Sequence, residues 1–284
     1  HPIHQIKVGD INYAYIEKGE GPVVVLLHGF PDLANTWDES IDELSKEYRC
    51  IAPFLRGYYP TDIPEGGDYR AKTIATDIGD LVEQLGINSY AVIGHDWGAS
   101  VAYAMANLYP EAIAKLVTVA IPHPRYLKFS LPVLIKARHF IRFYNPGLSL
   151  NYTRRDNFAY IDRLFRRWSP TWEDFQQTSD GVKATYTLPG RLEAALGYYW
   201  DLFKSLNDRE LQSFYAKKPQ MPLLAFAGKK DGALSLKPYE FMKKSMGKDA
   251  KIIIDEESGH FLHREVPEKF LEEVKAFLED KKEG

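Results

Sequence analysis

Residues 90–99 read Tyr-Ala-Val-Ile-Gly-His-Asp-Trp-Gly-Ala. The run from Tyr90 to Gly94 is continuously apolar, the pattern of a short strand covered on both faces. A helix-compatible stretch follows, residues 99–108. Between the two, Gly94 and Gly98 bracket His95-Asp96-Trp97. Small residues on both sides allow a sharp strand-to-helix turn that lifts one side chain, here Asp96, above the sheet at a helix N-terminus. A Gly-bounded turn with Asp96 as a simple N-cap is the competing reading. The rest of the chain decides between them.

Working outward, residues 11–16 alternate as a half-buried strand does, and residues 23–27 (VVVLL) form another buried run. Residues 50–53, 116–120, 223–228 and 251–254 read as further buried strands. Helical patterns lie between them at residues 38–47, 71–85, 237–246 and 267–279, the last with Pro267 at its start, where a missing N–H costs nothing. Strand–helix alternation predicts a mostly parallel sheet with helices on both faces. The rhythm breaks over residues 122–218, where Pro122, Pro124, Pro132, Pro146, Pro170 and Pro189 cut the chain, aromatics are dense, and no strand run is visible. An all-helical insertion fits, giving a core of residues 1–121 and 219–284 interrupted by a helical cap.

Composition narrows the function. Hydrophobic residues make up 45% of the 284 and charged residues 26%, a balance that excludes a disordered chain. A net charge of −3 gives no reason to expect a nucleic-acid partner. No apolar run reaches about 18 residues, so no transmembrane helix and no membrane partner is expected. The single cysteine, Cys50, excludes an internal disulfide and the common zinc frameworks, and no metal-binding spacing is present. No cofactor is expected. The chain starts at His1 without a signal-peptide pattern and reads as cytoplasmic.

Three further loops follow predicted strands. His28-Gly29-Phe30-Pro31 follows VVVLL and can aim the Phe30 amide at the space above Asp96, forming an oxyanion hole with the Trp97 amide. Gly228-Lys229-Lys230-Asp231 and Ser258-Gly259-His260-Phe261 close the next two strands. Taken singly, Asp231 is a turn residue and His260 a loop histidine. Jointly they give nucleophile, acid and base in chain order, each at the C-terminal end of its own strand, where open α/β sheets place their sites.

On these motifs the chain resembles the α/β-hydrolase superfamily over nearly its whole length, with residues 122–218 matching that superfamily's helical cap. More narrowly, HGFP, GHDWGA, RGYYPTD at residues 56–62 and the SGHF ending resemble the epoxide hydrolase group. The resemblance implies an eight-stranded sheet, with Asp96 as nucleophile, Asp231 as charge-relay acid, His260 as base, and the Phe30 and Trp97 amides as the oxyanion hole. Haloalkane and fluoroacetate dehalogenases share this triad.

An aspartate at the elbow points to displacement at saturated carbon. A carboxylate attacking an sp³ carbon gives an ester that water still cleaves, whereas a serine would give an inert ether. The expected substrate is small, apolar and electrophilic, with water as second reactant. An epoxide gives a vicinal diol; a halide, the alternative, gives an alcohol. Phe30 stands where many haloalkane dehalogenases carry Asn, which counts against a halide. Trp168 and Trp172 keep that alternative open as a source of a second indole. The arginine pair implied for fluoroacetate is absent, since Trp97 and Ser100 hold those places. For the two cap tyrosines of epoxide hydrolases, alignment places His139 at the first position, with Tyr144 five residues on. The second falls at Val182, with Tyr186 one helical turn further. His139, Tyr144 and Tyr186 are therefore the candidate proton donors. His28 and His95 read as structural hydrogen-bonding residues. Phe140, Phe143, Trp168 and Trp172 read as either pocket wall or cap core, and the arginine runs at 154–155 and 166–167 as solvated faces. A catalytically silent binding protein on the same fold has no use for Asp231 and His260 at those strand ends.

Overall fold

A computed structural model describes residues 1–127 and 136–280. Its strands are β1 (Ile3–Val8), β2 (Ile11–Lys18), β3 (Val23–Leu27), β4 (Arg49–Pro53), β5 (Tyr90–His95), β6 (Ile113–Val119), β7 (Leu223–Gly228) and β8 (Ala250–Asp255). They form one eight-stranded sheet in the order β1-β2-β4-β3-β5-β6-β7-β8. Only the β1–β2 and β2–β4 pairings are antiparallel. This is the α/β-hydrolase architecture that the motifs implied. β1 was not expected. It is an exposed edge strand, IHQIKV, buried only at Val8, so it has no apolar face to leave a period-two signature.

Alternation within the buried strands splits the core in two. Val25, Leu27, Val92 and Leu116 face a cluster that includes α2 (Ala71–Gln84) and α3 (Trp97–Leu108). Val24, Leu26, Ile93 and Val117 face a second cluster with α1 (Asp38–Leu44) and the C-terminal α11 (Pro267–Glu279). Burial on both sides is why these strands carry continuous Val/Ile/Leu runs.

Between β6 and β7 the described residues hold no strand. They form α4 (Arg138–Phe143), α5 (Pro146–Trp168), α6 (Phe175–Tyr186), α7 (Arg191–Ser205) and α8 (Arg209–Tyr215). α5 breaks at residues 155–158, where Asp156, Asn157 and Phe158 have positive φ. After β7 come α9 (Lys237–Ser245) and, after β8, the short α10 (Leu262–Glu265). α7 is buried on most of its circumference, from Leu192 through Tyr198 and Tyr199 to Ser205.

Candidate active site

The elbow forms as the sequence demands. Asp96 has φ 51° and ψ −119°, a conformation that L-residues adopt only when the surroundings enforce it. The enforcement is close packing. A Cβ on Gly98 would collide with the Leu27 and His28 carbonyls, and one on Gly94 would strike the backbone of Gly98. α3 starts directly after Asp96, at Trp97, two residues earlier than expected. Gly29 clears the space in front of the carboxylate: a Cβ there would lie 2.6 Å from Asp96 Oδ1 and 2.7 Å from the Trp97 amide.

Asp96, Asp231 and His260 come together from three loops. His260 Nδ1 lies 2.9 Å from Asp231 Oδ2, and Nε2 lies 3.2 Å from Asp96 Oδ2. All three residues are buried. Asp231 Oδ1 accepts from the amides of Ala233 and Leu234 at 2.6 and 3.0 Å, which fixes its orientation. The Phe30 amide donates to Asp96 Oδ1 at 2.9 Å. The Trp97 amide abuts Gly29 on the same side, yet among the described residues only Phe30 bonds the carboxylate from the expected oxyanion hole.

Electrostatics follow from this geometry. Burial opposes ionisation of Asp96, but the hydrogen bond and charge of His260, then His95 and the Phe30 amide, hold its pKa below the ordinary value. Burial likewise opposes the His260 cation, and the Asp231 charge and hydrogen bond, followed by Asp96, outweigh it and raise the pKa. Both carboxylates that flank His260 thus favour its protonated form. His28 and His95 stay neutral, pushed down by burial to about 4 and about 3. His28 Nε2 accepts from the Leu55 amide at 3.0 Å, and His95 Nε2 lies 3.0 Å from the His260 carbonyl.

The end of α5 ties the helices between β6 and β7 to the loops that carry Asp231 and His260. The Trp168 carbonyl accepts from the His260 amide at 2.9 Å and from the Gly232 amide at 3.2 Å. Ser169 Oγ accepts from the Phe261 amide at 2.8 Å. One helix terminus therefore pins both the Asp231 loop and the His260 loop.

A cavity of about 480 Å³ opens above Asp96 and His260, walled by Trp97, His139, Phe140, Tyr198 and Tyr199 among others. Of the three candidate donors, only His139 lies buried on that wall. Tyr144 sits at the rim with 67% of its surface exposed. Tyr186 and Val182 are buried off the cavity, and Tyr186 stacks on Phe30 at 6.4 Å. The tyrosine on the wall beside Asp96 is Tyr199, which the alignment missed. Its neighbour Tyr198 also reaches the cavity, but that hydroxyl donates to the Arg56 carbonyl at 2.8 Å. The Tyr199 O–H has no protein acceptor among the described residues. Burial, then the Asp96 charge, raises its pKa well above 10, and the Trp97 indole N–H offsets part of the rise. Tyr199 thus keeps its proton.

The remaining aromatics divide. Phe140 lines the cavity, whereas Phe143 and Trp168 pack behind it against Phe30. Trp172 packs on Phe165 and Phe261, away from the cavity. The Trp168 indole N–H is buried without a partner and off the cavity wall. Arg154 pairs with Glu193 at the surface, as a solvated face would. Arg167 does not: it is half-buried and donates to His139.

Comparison with known proteins places this geometry. The model of the alpha/beta hydrolase fold family matches residues 22–266. The chain belongs to the α/β-hydrolase family. It is 32% identical over 270 residues to the AB hydrolase superfamily protein YfhM of Bacillus subtilis, covering 90% of each chain. It is 27% identical over 292 residues to human "Epoxide hydrolase 4", covering 99% of this chain and 79% of that one. Among solved structures, the epoxide hydrolase VrEH1 from Vigna radiata superposes with a TM-score of 0.83 at 26% identity, covering 98% and 97%. The similarity is to the epoxide hydrolase-like group, and the chain is an enzyme of the hydrolase class. Among the described residues no helix is long and apolar enough to cross a membrane.

Proposed function

We propose that this hydrolase opens epoxides to vicinal diols through an alkyl-enzyme ester on Asp96, with residues 122–218 acting as the cap that closes the site. The observation that carries the reading is the pair His139 and Tyr199, two polar side chains on the wall of the cavity that opens above the buried Asp96. The names of the relatives support it.

Asp96 Oδ2 is the attacking oxygen, because Oδ1 already rests on the Phe30 amide, where the ester carbonyl must lie. As the C–O bond of the ring breaks, Tyr199 O–H gives its proton to the leaving oxygen, helped by a hydrogen bond from His139. The raised tyrosine pKa keeps the O–H in place before reaction, and the alkoxide being formed is still the stronger base and takes the proton. Ester formation discharges Asp96 and removes one of the two charges that hold the proton on His260. His260 then gives up that proton, the Tyr199 phenolate left by ring opening regains one, and the neutral imidazole takes a proton from water as the water attacks the Asp96 carbonyl carbon. The Phe30 amide, joined by Trp97, holds the tetrahedral oxyanion. Collapse breaks the Cγ–Oδ2 bond, and Oδ2 leaves in the diol with the proton that His260 returns to it.

A halide reading draws less support, because the candidates for a second indole beside Trp97 are elsewhere: Trp172 packs away from the cavity and Trp168 lies off its wall. A panel of terminal and internal epoxides and of haloalkanes, scored for diol and free halide, tests the proposal. Diol formation is expected; halide release with no diol from any epoxide would overturn it.

A further inference from the structure

Arg167, in the last turn of α5, was expected on a solvated face and instead reaches the active site from behind. Its Nη2 lies 3.3 Å from His139 Nδ1 and 3.5 Å from the Lys136 carbonyl. His139 is 3% exposed and sits against Phe140 at 4.5 Å, Trp168 at 4.8 Å and Tyr199 at 6.0 Å. A guanidinium has donors only, so the nitrogen facing it must be an acceptor. Nδ1 is therefore bare, and a neutral ring must carry its proton on Nε2. Among the described residues Nε2 has no hydrogen-bond partner, and His139 lines the cavity above Asp96.

We propose that Arg167 is a positioning residue that locks His139 in the Nε2–H tautomer, so that this ring always presents a donor to the leaving oxygen. The inference rests on the reading of His139 as a leaving-group donor. Without Arg167, the buried ring would be free to place its proton on Nδ1 and turn a lone pair toward the oxygen on which negative charge grows. Arg167 also keeps the ring neutral. Burial and then the Arg167 charge drive the His139 pKa well below 6.5, against the pull of Asp96, with His260 adding to the fall. The charged and titratable groups around Arg167 are Arg138, Arg142, Tyr160 and Asp231. Among the described residues no carboxylate forms an ion pair with it, so its donors stay free for His139 and the backbone.

The test is ¹⁵N NMR of the full chain labelled at histidine, with the His139 signals assigned by the His139→Gln variant. The expected wild-type result is an unprotonated Nδ1 and a protonated Nε2 from pH 6 to 9. A protonated Nδ1 would overturn the proposal without any variant having to fold. Arg167→Met should give mixed tautomers, a higher His139 pKa and a roughly 10–10²-fold fall in kcat with KM changed less than about threefold. Arg167→Lys, which keeps a donor and the charge, should restore much of both. An Arg167→Met protein that folds and keeps the wild-type tautomer would refute the lock. If the tautomer shifts as expected while kcat for epoxide stays unchanged, the lock is real but His139 is not a leaving-group donor, and it is that reading which fails.

Discussion

Replacing Tyr199 by Phe removes one oxygen and almost nothing else. The ring stays packed against Phe143 at 4.7 Å, Trp97 at 5.1 Å, Phe30 at 5.3 Å and Phe140 at 5.4 Å. The hydroxyl serves no protein acceptor among the described residues, so stability should change by less than about 1 kcal/mol. The chemistry should change far more. A buried donor aimed at developing negative charge is typically worth about 10²–10³ in rate, or about 2.7–4 kcal/mol of barrier. His139 remains as the second donor, so activity falls by that amount and is not abolished. The assay is a single-turnover measurement of ring opening with enzyme in excess, which isolates alkylation from ester hydrolysis. Tyr186→Phe is the matched control: its hydroxyl is also buried and unpartnered, but it lies off the cavity, and its loss should change the rate less than about threefold. A folded Tyr199→Phe enzyme within threefold of wild type would refute the reasoning, as would an equal loss in Tyr186→Phe.

Other consequences follow from single features. Asp32 Oδ2 is buried without a partner, and burial, opposed by Thr36, the Leu33 amide and Arg264, raises its pKa from 3.8 to about 6. The folded chain then holds that proton more tightly than the unfolded one, so stability falls as pH rises through this window. Above it the ionised group costs up to about 3 kcal/mol. Asp32→Asn should therefore be more stable than wild type at pH 8 in urea unfolding, with the gap closing below about pH 4; an equal gap at both would contradict this. Gly29→Ala should lower kcat by at least about 10²-fold, since its methyl group enters the space of Asp96 and the Trp97 amide; steady-state kinetics on a folded variant decide it. Ser169→Ala leaves the buried Phe261 amide unsatisfied and should cost about 1–3 kcal/mol in urea unfolding, together with a fall in kcat as the His260 loop loosens.

The fold was readable because its central strands are buried on both faces and its functional loops follow them directly, so VVVLL and YAVIG announce both the sheet and the site. The helical register around Tyr199 was not. α7 is buried nearly all round, so no apolar stripe separates the residue that faces the cavity from its neighbours. Tyr198 and Tyr199 both line the cavity, but the Tyr198 hydroxyl is taken by the Arg56 carbonyl. That pairing spans the junction between insertion and sheet and leaves no trace in local sequence. Arg167 was misread for the same reason: a charged residue in an exposed-looking RRW run gave no sign of reaching a buried histidine. Tyr186 attracted attention by lying one helical turn beyond Val182, but packing turns it onto Phe30 instead.

The central claim, a covalent ester on Asp96 cleared by His260, is tested most directly by peptide mass spectrometry of a His260→Gln enzyme exposed to an epoxide. The account predicts that the peptide containing Asp96 gains the full mass of the epoxide and that the adduct persists, because water is no longer activated. An unmodified peptide from a variant shown to bind the epoxide would contradict it.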